Sequence, residues 1–246
     1  MERKPLISEN DDWLDEDSSS GPILLVFLML AIMAGTLAAA VFLPKWLPDL
    51  TTSVLGSQPK AYWYLSRGSA LVAFVLLWFS MGFGTIITNK MARVWPGGPR
   101  AFDLHEYFSL LGLGFALFHA MILLGDKYTN YNPFQILVPF ASTPYRQLWV
   151  GLGQIGFYVW ILVTVSFYLR KRATKNSWRV IHLLSYASFL LALVHGITSG
   201  TDSGASWVQA MYWVAGGSLL FLFVYRLLAG FFKAKTQARV PATAGK

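Results

Sequence analysis

The sequence predicts an all-α integral membrane fold, a six-transmembrane-helix bundle with both termini cytoplasmic. Three features carry that expectation: an apolar composition, six long apolar stretches, and an uneven placement of lysine and arginine between them. Of 246 residues, 55% are hydrophobic and 16% aromatic, and only 13% are charged. Soluble domains carry about 25% charged residues, so most of this chain requires an apolar solvent. Cysteine is absent, which excludes disulfides, zinc-finger sites, cysteine-held iron–sulfur clusters and covalent CxxCH haem attachment.

A span takes about 20 mostly apolar residues, because the hydrocarbon layer is about 30 Å thick and a helix rises about 1.5 Å per residue. Six stretches qualify, at 23–43, 69–88, 104–124, 148–169, 180–197 and 208–228. The first follows a long acidic segment (Asp11, Asp12, Asp15, Glu16, Asp17) and is too long for a signal-peptide core. Residues 1–21, polar and serine-rich, are expected to form a flexible acidic cytoplasmic tail. Residues 22–60 then supply the first transmembrane helix and an outer loop, 61–230 the main membrane domain, and 231–246 a basic cytoplasmic tail.

Orientation follows from charge. With a cytoplasmic N-terminus, fifteen of the twenty lysines and arginines fall in inner segments, and five (Lys45, Lys60, Arg67, Lys127, Arg146) in outer ones. This positive-inside bias explains the formal net charge of +8 as a cytoplasmic rim. Membrane lipid is the expected surrounding partner, with no nucleic acid, and the plasma membrane (the inner membrane of a bacterium) the expected location.

All four histidines fall within two spans. His105 opens the third and His119 lies fourteen residues further out; His182 begins the fifth and His195 lies thirteen further out. Both helices run from inside to outside, so His105 is expected to share a depth with His182, and His119 with His195, at levels about 20 Å apart. Two neutral imidazoles on opposite faces of a porphyrin make a six-coordinate iron suited to electron transfer. The bundle is therefore expected to enclose two stacked b-type haems, with the four histidines as axial iron ligands. Gly112, Gly114, Ala116, Ala120, Ala187 and Ala192 would leave room for the macrocycles. Fourteen residues turn an ideal helix by about −40° and thirteen by about −140°. Either the fifth helix contains a bulge, or the two haems meet it from different sides. A histidine that merely packs is the bland alternative, but ionisable residues inside spans are functional by default. A metal-ion transporter is a weaker alternative, since no cysteine and hardly any carboxylate lies mid-membrane.

The chain resembles the ferric reductase-like transmembrane family, which includes NADPH oxidases, ferric reductases and the haem-binding subunit MsrQ of bacterial methionine sulfoxide reductase. The resemblance covers roughly residues 61–230. Its carriers are Tyr64-Leu-Ser-Arg-Gly-Ser-Ala-Leu, the H-x13-H of the third span, Trp178-Arg-Val-Ile-His182 with the following H-x12-H, and His195-Gly-Ile-Thr-Ser-Gly-Thr-Asp202. It implies a bis-histidine stack that passes electrons from a cytosolic donor to an outer acceptor. In oxidases and ferric reductases the donor module is fused after the sixth span. This sequence runs only about eighteen residues past that span, so a separate flavoprotein, a bound flavin such as FMN, or quinol is the expected donor. Ferric iron, oxygen, a quinone or a partner reductase is the expected acceptor. A haem-containing anchor or assembly subunit of a larger redox complex is the rival reading.

By the same resemblance Arg67 would hold an outer haem propionate, with interfacial snorkelling as the alternative. Arg179, one turn before His182, would hold an inner propionate or simply belong to the basic loop. The family often places an aromatic side chain between its haems. Six residues after His182 this chain has Ser188, with Phe189, Tyr186 and Phe118 as loose substitutes. The aromatic outer loop 125–147 is expected to fold back over the distal haem, as a docking place or a cap. Gly151-Leu-Gly-Gln-Ile-Gly156 matches a dinucleotide fingerprint by letter, but it opens an apolar span instead of following a strand. Close helix or haem packing is the better account. Glu106 is expected to face the cytoplasmic interface, with a hydrogen bond to a ligand or proton transfer as its other roles.

Overall fold

A computed structural model of the chain describes residues 22–46, 61–89, 91, 95–143, 145–172 and 174–239. It contains α1 (Pro22–Trp46), α2 (Ala61–Thr88), α3 (Gly98–Ile122), α4 (Pro133–Leu137), α5 (Gln147–Tyr168), α6 (Lys175–Ser199) and α7 (Ser206–Arg239). Short 3-10 turns follow α3 (Leu123–Gly125) and α5 (Arg170–Arg172). No strand occurs among the described residues.

Five helices are long and apolar enough to cross a membrane: α2, α3 with its 3-10 extension, α5, α6 and α7. That is one fewer than the six spans expected. α1 runs for 25 residues, but its apolar stretch among the described residues, Leu25–Ala39, falls short of a span. The expected acidic tail 1–21, the loop residues 47–60, Lys90, Arg93 and residues 240–246 lie outside the described residues.

Several boundaries move, two of them by the most. α2 starts at Ala61 instead of 69, because Ser66 and Arg67, which depress the hydropathy there, find partners on other elements. α7 continues to Arg239, through much of the stretch expected as a tail from 231. Nothing stops it, since no glycine or proline occurs between Phe231 and Arg239.

The surface is apolar, unlike that of a soluble bundle, and small polar residues join the apolar core. Trp213, Phe221 and Val180 are each more than 60% exposed, whereas Ser66, Ser69, Ser80, Thr85, Thr164, Ser166 and Ser188 are buried. Small polar residues let helices approach closely where lipid removes the hydrophobic drive between them. Their hydroxyls are satisfied locally, as Ser69 donates to Leu65 O (2.7 Å), Thr85 to Met81 O (2.8 Å) and Thr164 to Trp160 O (2.9 Å).

Packing divides the bundle into two antiparallel hairpins, α2 on α3 and α5 on α6, with α1 laid on α3 and α7 on α2. Trp78 Nε1 of α2 donates to Ser218 Oγ of α7 at 2.9 Å. α3 and α6, the histidine-bearing helices, hardly approach each other backbone to backbone. The space between the hairpins is where the candidate site lies.

Candidate functional site

Each level is built from one serine and two histidines, with backbone carbonyls on both ring Nδ1 atoms at His119/His195 and on one at His105/His182. Ser66 and Ser80 lie fourteen residues apart on α2, repeating in reverse the spacing of His119 and His105 on α3. His119 Nδ1 stands 2.8 Å from the Ser66 carbonyl oxygen, and His105 Nδ1 stands 2.8 Å from that of Ser80. A carbonyl only accepts, so both Nδ1 atoms carry the proton and both Nε2 atoms keep a lone pair. The serine hydroxyls return the contact by donating to the histidine carbonyls, Ser66 Oγ to His119 O (3.1 Å) and Ser80 Oγ to His105 O (3.4 Å).

Across the gap, His195 Nδ1 lies 2.9 Å from Trp149 O of α5, which sets the same tautomer. His182 differs. Its Nδ1 is buried without a hydrogen-bond partner, and its ring lies 5.2 Å from that of Trp178, tilted by 30°. The His105 and His182 ring centroids are 6.1 Å apart, and those of His119 and His195 are 6.2 Å apart. α6 is one unbroken α-helix from Lys175 to Ser199. Thirteen residues of ideal helix therefore carry its two histidines away on different sides, with no bulge between them.

The glycine run of α5 belongs to this packing. A Cβ on Gly153 would stand 2.6 Å from Cγ and Nδ1 of His195, one on Gly156 would stand 3.0 Å from Leu191, and one on Gly151 would strike the Phe140 ring. On α2, a Cβ at Gly84 would meet His105 Cε1 at 3.1 Å.

A cavity of about 240 Å³ surrounds His119 and His195, and one of about 50 Å³ lies between His105 and His182; they are called the outer and the inner cavity after the orientation expected from charge. Leu77, Trp160 and Ser188 line both. Among the described residues no three of His, Cys, Asp and Glu converge as they would around a bare ion.

A family model described as a domain of unknown function (DUF8596) matches residues 61–202. The chain belongs to this family. The DUF8596 match opens with α2 and closes on Asp202 just beyond α6, so it contains every residue of both histidine levels and leaves out α1 and all of α7. No curated protein and no solved structure matches the chain.

Near its two ends, the DUF8596 segment is pinned to itself. Arg67 forms a salt bridge with Asp202, and its Nε donates to Asp202 Oδ2 at 2.7 Å. The guanidinium for which the family resemblance implies a propionate thus already faces a carboxylate at the edge of the outer cavity. Arg179 is exposed at the start of α6. Glu106 is half-buried, lines the inner cavity and accepts from Tyr168 OH at 2.8 Å.

Between the levels, Ser188 is buried and donates to Gly156 O at 2.9 Å. Phe189 stacks on Phe74 at 5.5 Å, Tyr186 packs on Phe223, and Phe118 packs near Tyr62 and Ile122. None of these three aromatics borders both cavities; Trp160 does. Sequence reasoning missed it, although a signal existed. Gly112 lies seven residues from both His105 and His119, and a Cβ there would stand 2.8 Å from the Trp160 ring.

The loop after α3 closes the outer cavity with Tyr131, Gln135, Ile136, Leu137 and Tyr145. Tyr145 OH donates to Ser199 O (2.8 Å), and Arg146 donates to Thr198 O. Tyr131 shares a 2.7 Å hydrogen bond with Ser142, and burial pushes its phenol above the ordinary value, keeping it protonated at neutral pH.

Proposed function

We propose that this chain is a transmembrane electron conduit of the ferric reductase-like kind, with one b-type haem held by His105 and His182 and a second by His119 and His195. The observation that carries this reading is the pair of ring separations, 6.1 and 6.2 Å, on two helices that do not otherwise pack. Two metal–imidazole bonds of about 2.0 Å and two ring radii of roughly 1.2 Å add to about 6.4 Å, so each gap suits one metal atom. An iron already held in a macrocycle needs just two protein ligands, which fits the histidine pairs: among the described residues Glu106 and Asp202 border the two cavities, but no third His, Cys, Asp or Glu converges with either pair. The same poverty of ligands weighs against a metal-ion transporter.

Bis-histidine haem supplies an iron that cycles between oxidation states with little ligand movement. The chain's own residues do the rest. Ser66, Ser80 and Trp149 fix three tautomers through their carbonyls, and such outer partners also raise ligand basicity. Trp160, 6% exposed, excludes water from the mid-plane between the levels. The two levels are unequal: the inner cavity is the smaller, and Phe102 and Phe167 stand on its lining.

In this reading both termini are cytoplasmic, and electrons pass from a cytosolic flavoprotein, flavin or quinol to an acceptor outside. The rival reading is a membrane anchor whose haems serve assembly. Sealed vesicles with reductant on one side and an impermeant ferric chelate on the other separate the two. Chelate reduction that depends on both histidine pairs supports the conduit, while haem reduction without any transmembrane transfer supports the anchor.

A further inference from the structure

The middle of the loop between α3 and α5, residues 132–140, is built for a place without water. From Tyr128 to Tyr145 the loop carries no charged residue, whereas Lys127 and Arg146 flank it. Its short helix α4 opens with a reciprocal cap, Gln135 N donating to Asn132 Oδ1 (2.9 Å) and Asn132 N to Gln135 Oε1 (3.1 Å). The carbonyls at and beyond its C-terminal end are met by side chains of α5. Gln154 Nε2 donates to Gln135 O (2.8 Å) and Ile136 O (2.7 Å), Tyr158 OH donates to Leu137 O, and Gln147 Nε2 donates to Phe140 O (2.6 Å). A surface loop leaves such carbonyls to solvent. Inside a bilayer every one must find a protein donor.

Depth points the same way. Arg146, Gln147 and Trp149 open α5 with residue types that anchor at the membrane interface. Gln154 lies about 10 Å further along the axis and Tyr158 about 16 Å. Side chains lean toward a helix N-terminus, so α4 sits somewhat shallower than its donors, within the outer half of a hydrocarbon layer about 30 Å thick. Its free face is apolar: Phe134 is 64% exposed and Leu137 55%, with Val138 and Phe140 also exposed. Through the Leu137–Tyr158 contact that face continues into the exposed apolar side of α5 at Tyr158 and Leu162.

We propose that residues 133–140 form a re-entrant wedge in the outer leaflet, with Phe134, Leu137, Val138 and Phe140 against lipid acyl chains. The opposite side of the wedge, through Gln135 and Ile136 with one edge of Leu137, is the wall between lipid and the outer histidine cavity. This inference stands whether or not haem is bound.

The absence of cysteine allows a direct test on the full chain in lipid nanodiscs. Spin labels are placed at Phe134→Cys, Leu137→Cys and Val138→Cys, with Leu162→Cys on α5 as a lipid-facing reference and Tyr128→Cys as a water-facing one. Collision rates are then measured with oxygen, which concentrates in lipid, and with a water-soluble nickel chelate. The wedge predicts oxygen-to-nickel ratios at 134, 137 and 138 near that at 162 and several-fold above that at 128. Ratios like that at 128 would overturn it. So would labels shielded from both reagents, because protein or a second copy would then cover the face. Three independent positions keep the test decisive if one variant fails to fold.

Discussion

Gly153 and Gly84 press on their histidines to different degrees, and the difference has opposite consequences for an added methyl group. At Gly153 the new carbon would overlap His195 at 2.6 Å, on the atom that bonds Trp149 O. Gly153→Ala is therefore expected to displace the ring and halve the haem content, with the outer haem lost. At Gly84 the contact is 3.1 Å to Cε1, a strain of a few tenths of an ångström, set against the helix preference of alanine over glycine of up to about 1 kcal/mol. Gly84→Ala is expected to keep both haems and its melting temperature. Haem quantification beside a thermal melt checks both variants. His182 offers a second contrast. Lacking the Nδ1 partner that the other three histidines have, and facing the smaller cavity, it makes the inner site the weaker one. Lost outer partners typically cost about 10–100-fold in metal affinity. Excess apomyoglobin is expected to extract the inner haem first, so that extraction is single-phase and slow in His105→Ala, which keeps only the outer site. Equal extraction rates from both sites would contradict this. The histidines themselves were legible from spacing alone. Their tautomers were not, because the deciding acceptors are backbone carbonyls, which leave no mark on composition.

Among the elements, α5 holds the least legible part of the site. Its glycine run was recognised as packing, yet the object packed against was not: Gly153 makes room for His195, and Trp160 rests against Gly112 of α3. A tryptophan on the helix without histidines draws no notice when the chain has ten. Trp160→Leu removes the aromatic layer between the two levels while leaving all four histidines in place. It is expected to retain two haems and to slow electron passage between them, read by flash photoreduction; unchanged kinetics would remove Trp160 from the path. Truncating a buried aromatic of this size costs about 3–5 kcal/mol when taken to alanine, so Trp160→Phe serves as the milder companion. Arg67 and Asp202 tie α2 to the turn between α6 and α7, with side chains 28% and 31% exposed. A pair that open contributes about 1 kcal/mol or less. Asp202→Asn is thus expected to change the melting temperature little. If Arg67 also serves a propionate, the outer midpoint potential shifts in Asp202→Asn, where its charge is released; a potential identical to the wild type assigns Arg67 to structure alone.

For the molecule as a whole, the apolar composition and positive-inside pattern made a helical membrane bundle legible, and the five long helices agree with it. What hydropathy could not supply was the division into two hairpins with a gap. That gap follows from which helix faces carry serine and glycine, and such residues add little to a hydropathy sum. Helix parity also matters at this scale. Five crossings would put the termini on opposite sides, whereas a crossing by α1, 25 residues long, returns both to one side, the cytoplasmic one in the proposed orientation. Reporter fusions at the two ends are expected to report the same inner side; opposite sides would show that α1 does not cross. The most direct test of the central claim is the reduced-minus-oxidised visible spectrum of the purified chain, with haem counted per polypeptide. The account predicts sharp low-spin b-type bands and about two haems, falling to one when either histidine pair is changed to alanine. A folded, colourless protein, or one that keeps two haems without His105 and His182, would contradict it.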